Sequence, residues 1–303
     1  MNRVLSADEL RRQSLRGILM MVLAIGLFSL MDAGLKLLTV HYGAMQVATL
    51  RGLSSLPWVL VWIGLSTGFA TLWRIRWGLQ LLRGALSVAM MAGFVYGFQL
   101  LPLTTVYAIF FIAPLMVTAL AVPILGEKVG PRRWTAIVIG LVGVLVILRP
   151  TPSGLAGVAS WAGLAVLGAA VGYSLSSVMV RVLSRTDTTQ SLMFWMLISL
   201  SLGSALFAWP SWRPVDSGHW GLIIGVGLTG ALGQYAITEA FRLGEASLIA
   251  PFEYTALAWG VGLDLALFGV LPDQITFVGA GIIVASGLYL LRREKVHAEA
   301  EHP

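Results

Sequence analysis

Apolar residues along the chain fall in long unbroken runs separated by short polar gaps. The runs span 17–40, 45–68, 78–100, 104–125, 134–148, 157–182, 191–209, 218–241, 247–270 and 275–291. About 20 apolar residues are what a helix needs to cross a bilayer. None of the runs alternates apolar and polar positions with a period of two, as barrel strands would. A segment in hydrocarbon must satisfy its own backbone, so each run is expected to be a helix. The pattern predicts an all-α polytopic membrane protein with ten transmembrane helices. The first run follows a mixed segment with Asp8, Glu9, Arg11, Arg12 and Arg16, is too long for a signal-peptide core, and has no small-residue cleavage site after it. It is expected to stay as the first helix.

Composition narrows the class. Of 303 residues, 57% are hydrophobic and 11% charged, where soluble domains carry about 25% charged residues. The absence of cysteine removes disulfides, thiolate metal sites and cysteine nucleophiles. His41, His219, His297 and His302 sit in loops or the tail, which argues against a zinc enzyme. No cofactor is expected. The net charge of +6 admits a nucleic-acid reading until the basic residues are placed. With the N-terminus in the cytoplasm, sixteen of the twenty fall in cytoplasmic segments, Arg149 and Arg213 lie opposite, and Lys36 and Arg51 lie inside spans. This positive-inside asymmetry predicts a multi-pass protein of the inner (plasma) membrane with both termini cytoplasmic. Each basic cluster is a short membrane-flanking loop, so nucleic acid is not expected as a partner.

The Pro/Gly/Ser-rich stretch at 149–154 falls at mid-chain. A shift of 143 residues brings Phe98 onto Phe241, Ala113 onto Ala256, Gly126 onto Gly269, Ile139 onto Ile282 and Arg149 onto Arg292, without a gap. Five helices per half place the second half upside down relative to the first. The expected organisation is a cytoplasmic segment 1–16, a first repeat 17–150, a linker 151–156, an inverted second repeat 157–292, and a cytoplasmic tail 293–303. Inverted repeats of this kind build secondary transporters, with the substrate site between the halves near the midplane.

Several short motifs extend this reading. Asp32-Ala33-Gly34-Leu35-Lys36, Arg51, Leu101-Pro102-Leu103, Pro114-Leu115, Gly126-Glu127-Lys128, Arg132-Arg133-Trp134, Gly143-Val144 and Arg149-Pro150 together resemble the EamA-type members of the drug/metabolite transporter superfamily. The resemblance implies a ten-helix carrier of small organic metabolites such as amino acids, nucleosides or vitamins. The second half has Gly269-Val270-Leu271 where the first has Gly-Glu-Lys. The resemblance also implies that the third, fourth, sixth and eighth spans line the cavity. That would place Tyr96, Tyr107, Tyr173 and Tyr235 there, with Gln99, Ser174, Ser177, Gln234 and Thr238 as a wet lining; bonding its own helix backbone is the more common fate of any single Ser or Thr hydroxyl.

Ionisable groups at bilayer depth cost about 2.5–3.5 kcal/mol on insertion scales and are functional candidates by default. Lys36 either meets a substrate carboxylate, pairs with Asp32 one turn away, or snorkels outward. Arg51 is an ion pair or carbonyl clamp between helices. Glu239 either binds substrate or pairs with Arg242 or Arg181. Glu253 is a substrate or proton carboxylate without an obvious local partner, and Asp264 could face Lys36 across the halves. Trp195 and Trp259 lie deep, whereas Trp73, Trp77, Trp134, Trp161, Trp209, Trp212 and Trp220 fall at span ends as interfacial belts. Pro114 and Pro251, in the fourth and ninth spans but not at matching positions, are hinges or simple kinks. The glycine pairs 64/68, 168/172 and 221/225 are spaced for close helix packing.

Gly225-Val226-Gly227-Leu228-Thr229-Gly230 fits a dinucleotide fingerprint, but inside an apolar run it reads as helix packing. A membrane enzyme is the rival class; Gly260-Val261-Gly262-Leu263-Asp264 misses the aspartyl-protease pattern by one residue, so no enzyme is expected. The sequence therefore points to a carrier that exports aromatic or other neutral amino acids, or alternatively takes up a riboflavin-like vitamin or S-adenosylmethionine. Its expected partners are a small-molecule substrate, the lipid bilayer and, as an open question, protons. The expected state is a monomer, with a dimer still open.

Overall fold

The computed structural model describes residues 7–66, 68–73, 75–100, 106, 109–148, 160–268 and 274–300. Within them the chain is helical and holds no strand, as runs without two-residue alternation require. The first half contains α1 (Ala7–Thr39), α2 (Ala44–Leu65), α3 (Trp77–Leu100), α4 (Ala113–Leu125) and α5 (Pro131–Leu148). The second contains α6 (Trp161–Leu183), α7 (Thr189–Ala208), α8 (Trp220–Leu243), the single turn α9 (Ala246–Ile249), α10 (Thr255–Phe268) and α11 (Gln274–Ala300). Among the described residues, Arg12–Thr39, Ala44–Leu65, Trp161–Leu183, Thr189–Ser211 and Ser217–Leu243 are long and apolar enough to cross a membrane. α1 begins ten residues before its apolar run because Ala7–Arg16 is rich in good helix formers. Hydropathy marks where that helix can meet lipid, not where it starts.

The fourth and ninth runs are not continuous helices. The fourth turns at Phe111-Ile112, where the Ile112 N–H bonds back only three residues to the Ile109 carbonyl (3.2 Å). Pro114 then sits at the second position of α4, where its missing N–H costs no helical bond. The ninth run becomes a 3-10 segment, Ala250–Tyr254, between α9 and α10, with Pro251 in its first turn. Pro114 and Pro251 do not correspond under the 143-residue shift, but the breaks do: Phe111 meets Tyr254, and the first residue of α4, Ala113, meets Ala256 in the first turn of α10. Pro114 thus begins the helix after its break, whereas Pro251 lies inside the corresponding break.

The packing respects the exchange of the two halves. α1 packs on α8 and α6 on α3; α2 on α8 and α7 on α3; α4 on α6 and α10 on α1; α2 also pairs with α7, and α5 with α11. Replacing each first-half helix by its second-half counterpart returns the same set of pairs. Phe111 and Tyr254, equivalent positions, touch with ring centroids 6.2 Å apart.

The glycine expectation needs correction. A Cβ added at Gly168, Gly221 or Gly225 would meet nothing within 4 Å, and at Gly64 only the Phe69 ring at 3.6 Å. Four-residue spacing puts two glycines on one face but does not say which face a neighbour covers. The close approaches lie elsewhere: a Cβ at Gly93 on α3 would fall 2.7 Å from the Ala165 carbonyl oxygen of α6, and one at Gly143 on α5 2.9 Å from that of Gly279 on α11.

Both ends of the bundle carry polar ties between the halves. At one end Gly126 closes α4 with a left-handed turn (φ 71°), a conformation open to glycine. That turn aims Glu127 at α9, where it accepts the Ala246 N–H (2.8 Å), the Ser247 N–H (3.0 Å) and the Ser247 hydroxyl. Arg133 bonds Glu245 and the Ser247 oxygen (3.0 Å) beside it. At the other end Tyr42 bonds His219 (2.8 Å) and receives the Asp216 N–H (2.9 Å). Gln46 there exchanges two bonds with the Arg213 backbone (2.6 and 3.0 Å).

Candidate functional site

Between the halves lies a cavity of about 350 Å³, walled by α1, α2, α3, α6, α7, α8 and the two helix breaks. Sites for small molecules fall at roughly 300–1,000 Å³. Helical periodicity explains which side chains reach it. α3 contributes Arg83, Leu86, Ser87, Met90, Met91 and Phe94, and α8 contributes Gln234, Ile237, Thr238 and Phe241; both follow one face at intervals of three and four. α6 supplies Gly172, Tyr173, Ser176, Ser177 and Val180 in the same way.

One wall is aromatic. Phe94 and Phe110 stand 4.5 Å apart between centroids, and Phe110 lies 5.4 Å from Tyr173. Phe28 lies under the Arg51 guanidinium at 5.6 Å, a cation–π arrangement. Met90, Met91 and Met196 complete the apolar lining with flexible thioethers. Most hydroxyls are spent on their own helix: Ser29 on the Ile25 carbonyl (2.9 Å), Ser87 on that of Arg83 (2.9 Å) and Thr238 on that of Gln234 (2.7 Å).

Among the described residues, four charged side chains face the cavity. Asp32 opens onto it and is the electrostatic partner of Arg51 from α2. Glu253, 6% exposed, comes from the break before α10; one carboxylate oxygen is buried without a partner, and Tyr173, which also lines the cavity, is its electrostatic neighbour. Arg83, 2% exposed, donates to the Leu192 carbonyl (2.9 Å) and the Met196 sulfur (3.2 Å), and its Nε has no partner. Arg83 is one of the sixteen basic residues that the sequence places in cytoplasmic segments, and the structure corrects this. α3 starts at Trp77, so Arg83 is in its second turn and points inward on the face of Ser87 and Phe94. Following that face of α3 back from Phe94 at helical spacing would have reached it.

Of the sequence candidates, Asp32, Pro114, Tyr173, Ser177, Gln234 and Glu253 line the cavity. Five do not. Tyr235 is rotated about 100° from Gln234 and packs edge-on against Trp62 at 5.0 Å. Tyr96 lies two residues past Phe94, on the opposite side of α3, and is exposed. Glu239 is held at the end of α8 by Arg242 (2.9 Å) and Thr189. Trp259 lies over Gly26 of α1, and Pro251 is buried in the helix break. Trp195 donates to the Leu72 carbonyl (2.8 Å) and joins Trp73 and Trp77 at a bundle end. Tyr107 and the side chains of Lys36, Gln99 and Asp264 lie outside the described residues, as do Leu101-Pro102-Leu103, Arg149-Pro150 and the 151–156 linker.

The model of the EamA-like transporter family matches residues 15–149 and again 160–292. A riboflavin transporter of Vibrio cholerae is 33% identical over 178 residues, an alignment spanning 58% of each chain. An S-adenosylmethionine uptake transporter of Rickettsia prowazekii is 26% identical over 95% of this chain and 96% of its own. The pseudopaline exporter CntI of Pseudomonas aeruginosa is 25% identical over 92% and 97%. A solved crystal structure matches with a TM-score of 0.77 at 20% identity, covering 93% of this chain and 98% of that one, which speaks to fold alone. With both halves matched and the cavity lying between them, the chain belongs to the EamA-like transporter family and is a membrane transporter of small molecules, not an enzyme.

Proposed function

We propose that the central cavity is the substrate site of a ten-helix secondary carrier of the inner membrane, with both termini cytoplasmic and two inverted five-helix repeats that alternate access around it. Its substrate is an aromatic or other neutral amino acid, moved outward. One observation carries this reading: a cavity built by both halves combines an aromatic wall, Phe94, Phe110 and Tyr173, with buried groups of opposite charge, Arg83 and Glu253. Such a wall suits a flat side chain, and the charges suit a zwitterion. In this scheme Tyr173, Ser177 and Gln234 contact substrate, and Glu253 carries the coupling proton. Glu239, already ion-paired, does not.

Uptake of a riboflavin-like vitamin is the second reading, favoured by the relative named for riboflavin and by the flat aromatic wall. S-adenosylmethionine uptake, named for another relative, stands as its variant. Radiolabel counterflow in proteoliposomes against phenylalanine, leucine, riboflavin and S-adenosylmethionine decides among them. Exchange of phenylalanine is the expected result, and the absence of exchange for both amino acids would overturn the first reading.

A further inference from the structure

Of the charges facing the cavity, Asp32 and Arg51 attract each other electrostatically, and Glu253 has Tyr173 as its electrostatic neighbour. Arg83 is left over. Among the described residues no carboxylate stands within ion-pair distance of it. Its partners are the Leu192 carbonyl and the Met196 sulfur, both neutral, and its Nε is buried with none. A guanidinium presents five N–H donors in a fork that matches a carboxylate, so most of its donor capacity is unused here. Buried cations in folded proteins are paired, because an unpaired one loses hydration without recompense. A lone guanidinium beside a cavity is therefore arranged for a negative charge that arrives with a ligand. Met196, which also lines the cavity, is a flexible, weakly accepting partner that an anion can displace.

We propose that Arg83 is the specificity-determining anchor for the cargo, and that the cargo carries a carboxylate which takes the place of the Met196 sulfur on the guanidinium. The inference rests on the cavity being the transport site and sharpens it: anionic and zwitterionic solutes are selected, and their amides or other analogues without a negative charge are refused.

The test uses matched pairs on the purified full chain: phenylalanine against phenylalaninamide, and riboflavin 5′-phosphate against riboflavin. Ligand-induced shifts in Tm give affinity, and counterflow gives transport. The expected result is that phenylalanine binds about tenfold or more tighter than its amide, the scale of one charge-assisted hydrogen bond. Arg83→Met abolishes that ratio while Arg83→Lys keeps part of it. A role confined to tying α3 to α7 through Leu192 would weaken both members of a pair equally and leave the ratio intact. Preference for the flavin phosphate alone would replace the carboxylate with a phosphate and overturn the proposal in its stated form. Equal binding of both members by the wild-type protein, or a preference that survives Arg83→Met, overturns it outright, as does the failure of every anionic member to bind. The wild-type comparison decides even if the variants do not fold. Carboxylate binding through Arg83 without counterflow would leave the anchor standing and remove the carrier reading; counterflow only of the members without a negative charge would do the reverse.

Discussion

Glu127→Ala is expected to open the protein at the end where α4 meets α9. The Glu127 side chain is 7% exposed and accepts three hydrogen bonds from Ala246 and Ser247, the first turn of α9. Arg181 lies 3.9 Å from the same carboxylate. Hydrogen bonds to a charged acceptor contribute about 1.5–3 kcal/mol each when taken singly. They do not add here, because Ser247 keeps its bond to Arg133 and water replaces part of what is lost. The net loss is roughly 3 kcal/mol, or about 150-fold in an equilibrium constant at 1.4 kcal/mol per tenfold. If this tie must break for the halves to part at that end, the open population rises by up to that factor. The natural absence of cysteine makes the assay direct: a single Ser177→Cys in the cavity is labelled by a membrane-impermeant maleimide, with and without Glu127→Ala. The labelling rate should rise by one to two orders of magnitude, while Lys128→Ala, on the exposed neighbour, leaves it unchanged. A change under about threefold in a protein that keeps its Tm would mean the tie does not hold that end shut.

Three further outcomes follow from the same geometry. Gly93→Val forces a side chain against the Ala165 carbonyl and should destabilise the α3–α6 pair by about 1–3 kcal/mol, read as a lower Tm, whereas Gly225→Ala, which meets open space, should not. Asp32→Asn removes the charge that attracts Arg51 and should cost about 1 kcal/mol or less, because Asp32 is exposed to the cavity; adding Arg51→Met should recover that loss in Tm, and no recovery would refute the electrostatic coupling. Glu253→Gln should abolish the response of transport to an imposed pH gradient while preserving counterflow, and a variant that keeps the full response would remove Glu253 from coupling.

The helical class was legible because hydrocarbon leaves the backbone no alternative to a helix, and hydropathy records that constraint directly. The matching breaks in the fourth and ninth runs were hidden because Pro114 begins a helix after its break whereas Pro251 lies inside one, so the prolines disagree where the backbones agree. The site divides along helical phase. Gln234 and Tyr235 are neighbours in sequence, yet one faces the cavity and the other Trp62, a difference of about 100° that residue type cannot reveal. Arg83 was missed for the opposite reason: a census that sorts basic residues by nearness to a loop counts a buried guanidinium one turn inside a helix as part of that loop.

Phe111 and Tyr254 occupy equivalent places in the two halves and touch each other. Equivalent residues in contact flank the axis that would relate the two halves, and in the proposed motion a pair beside that axis lies at the fulcrum. If the halves rock as proposed, separations across the bundle ends should change while this one stays nearly constant. A pair of reporter groups placed here is thus an internal ruler, unmoved by turnover, against which every other distance in the carrier can be calibrated.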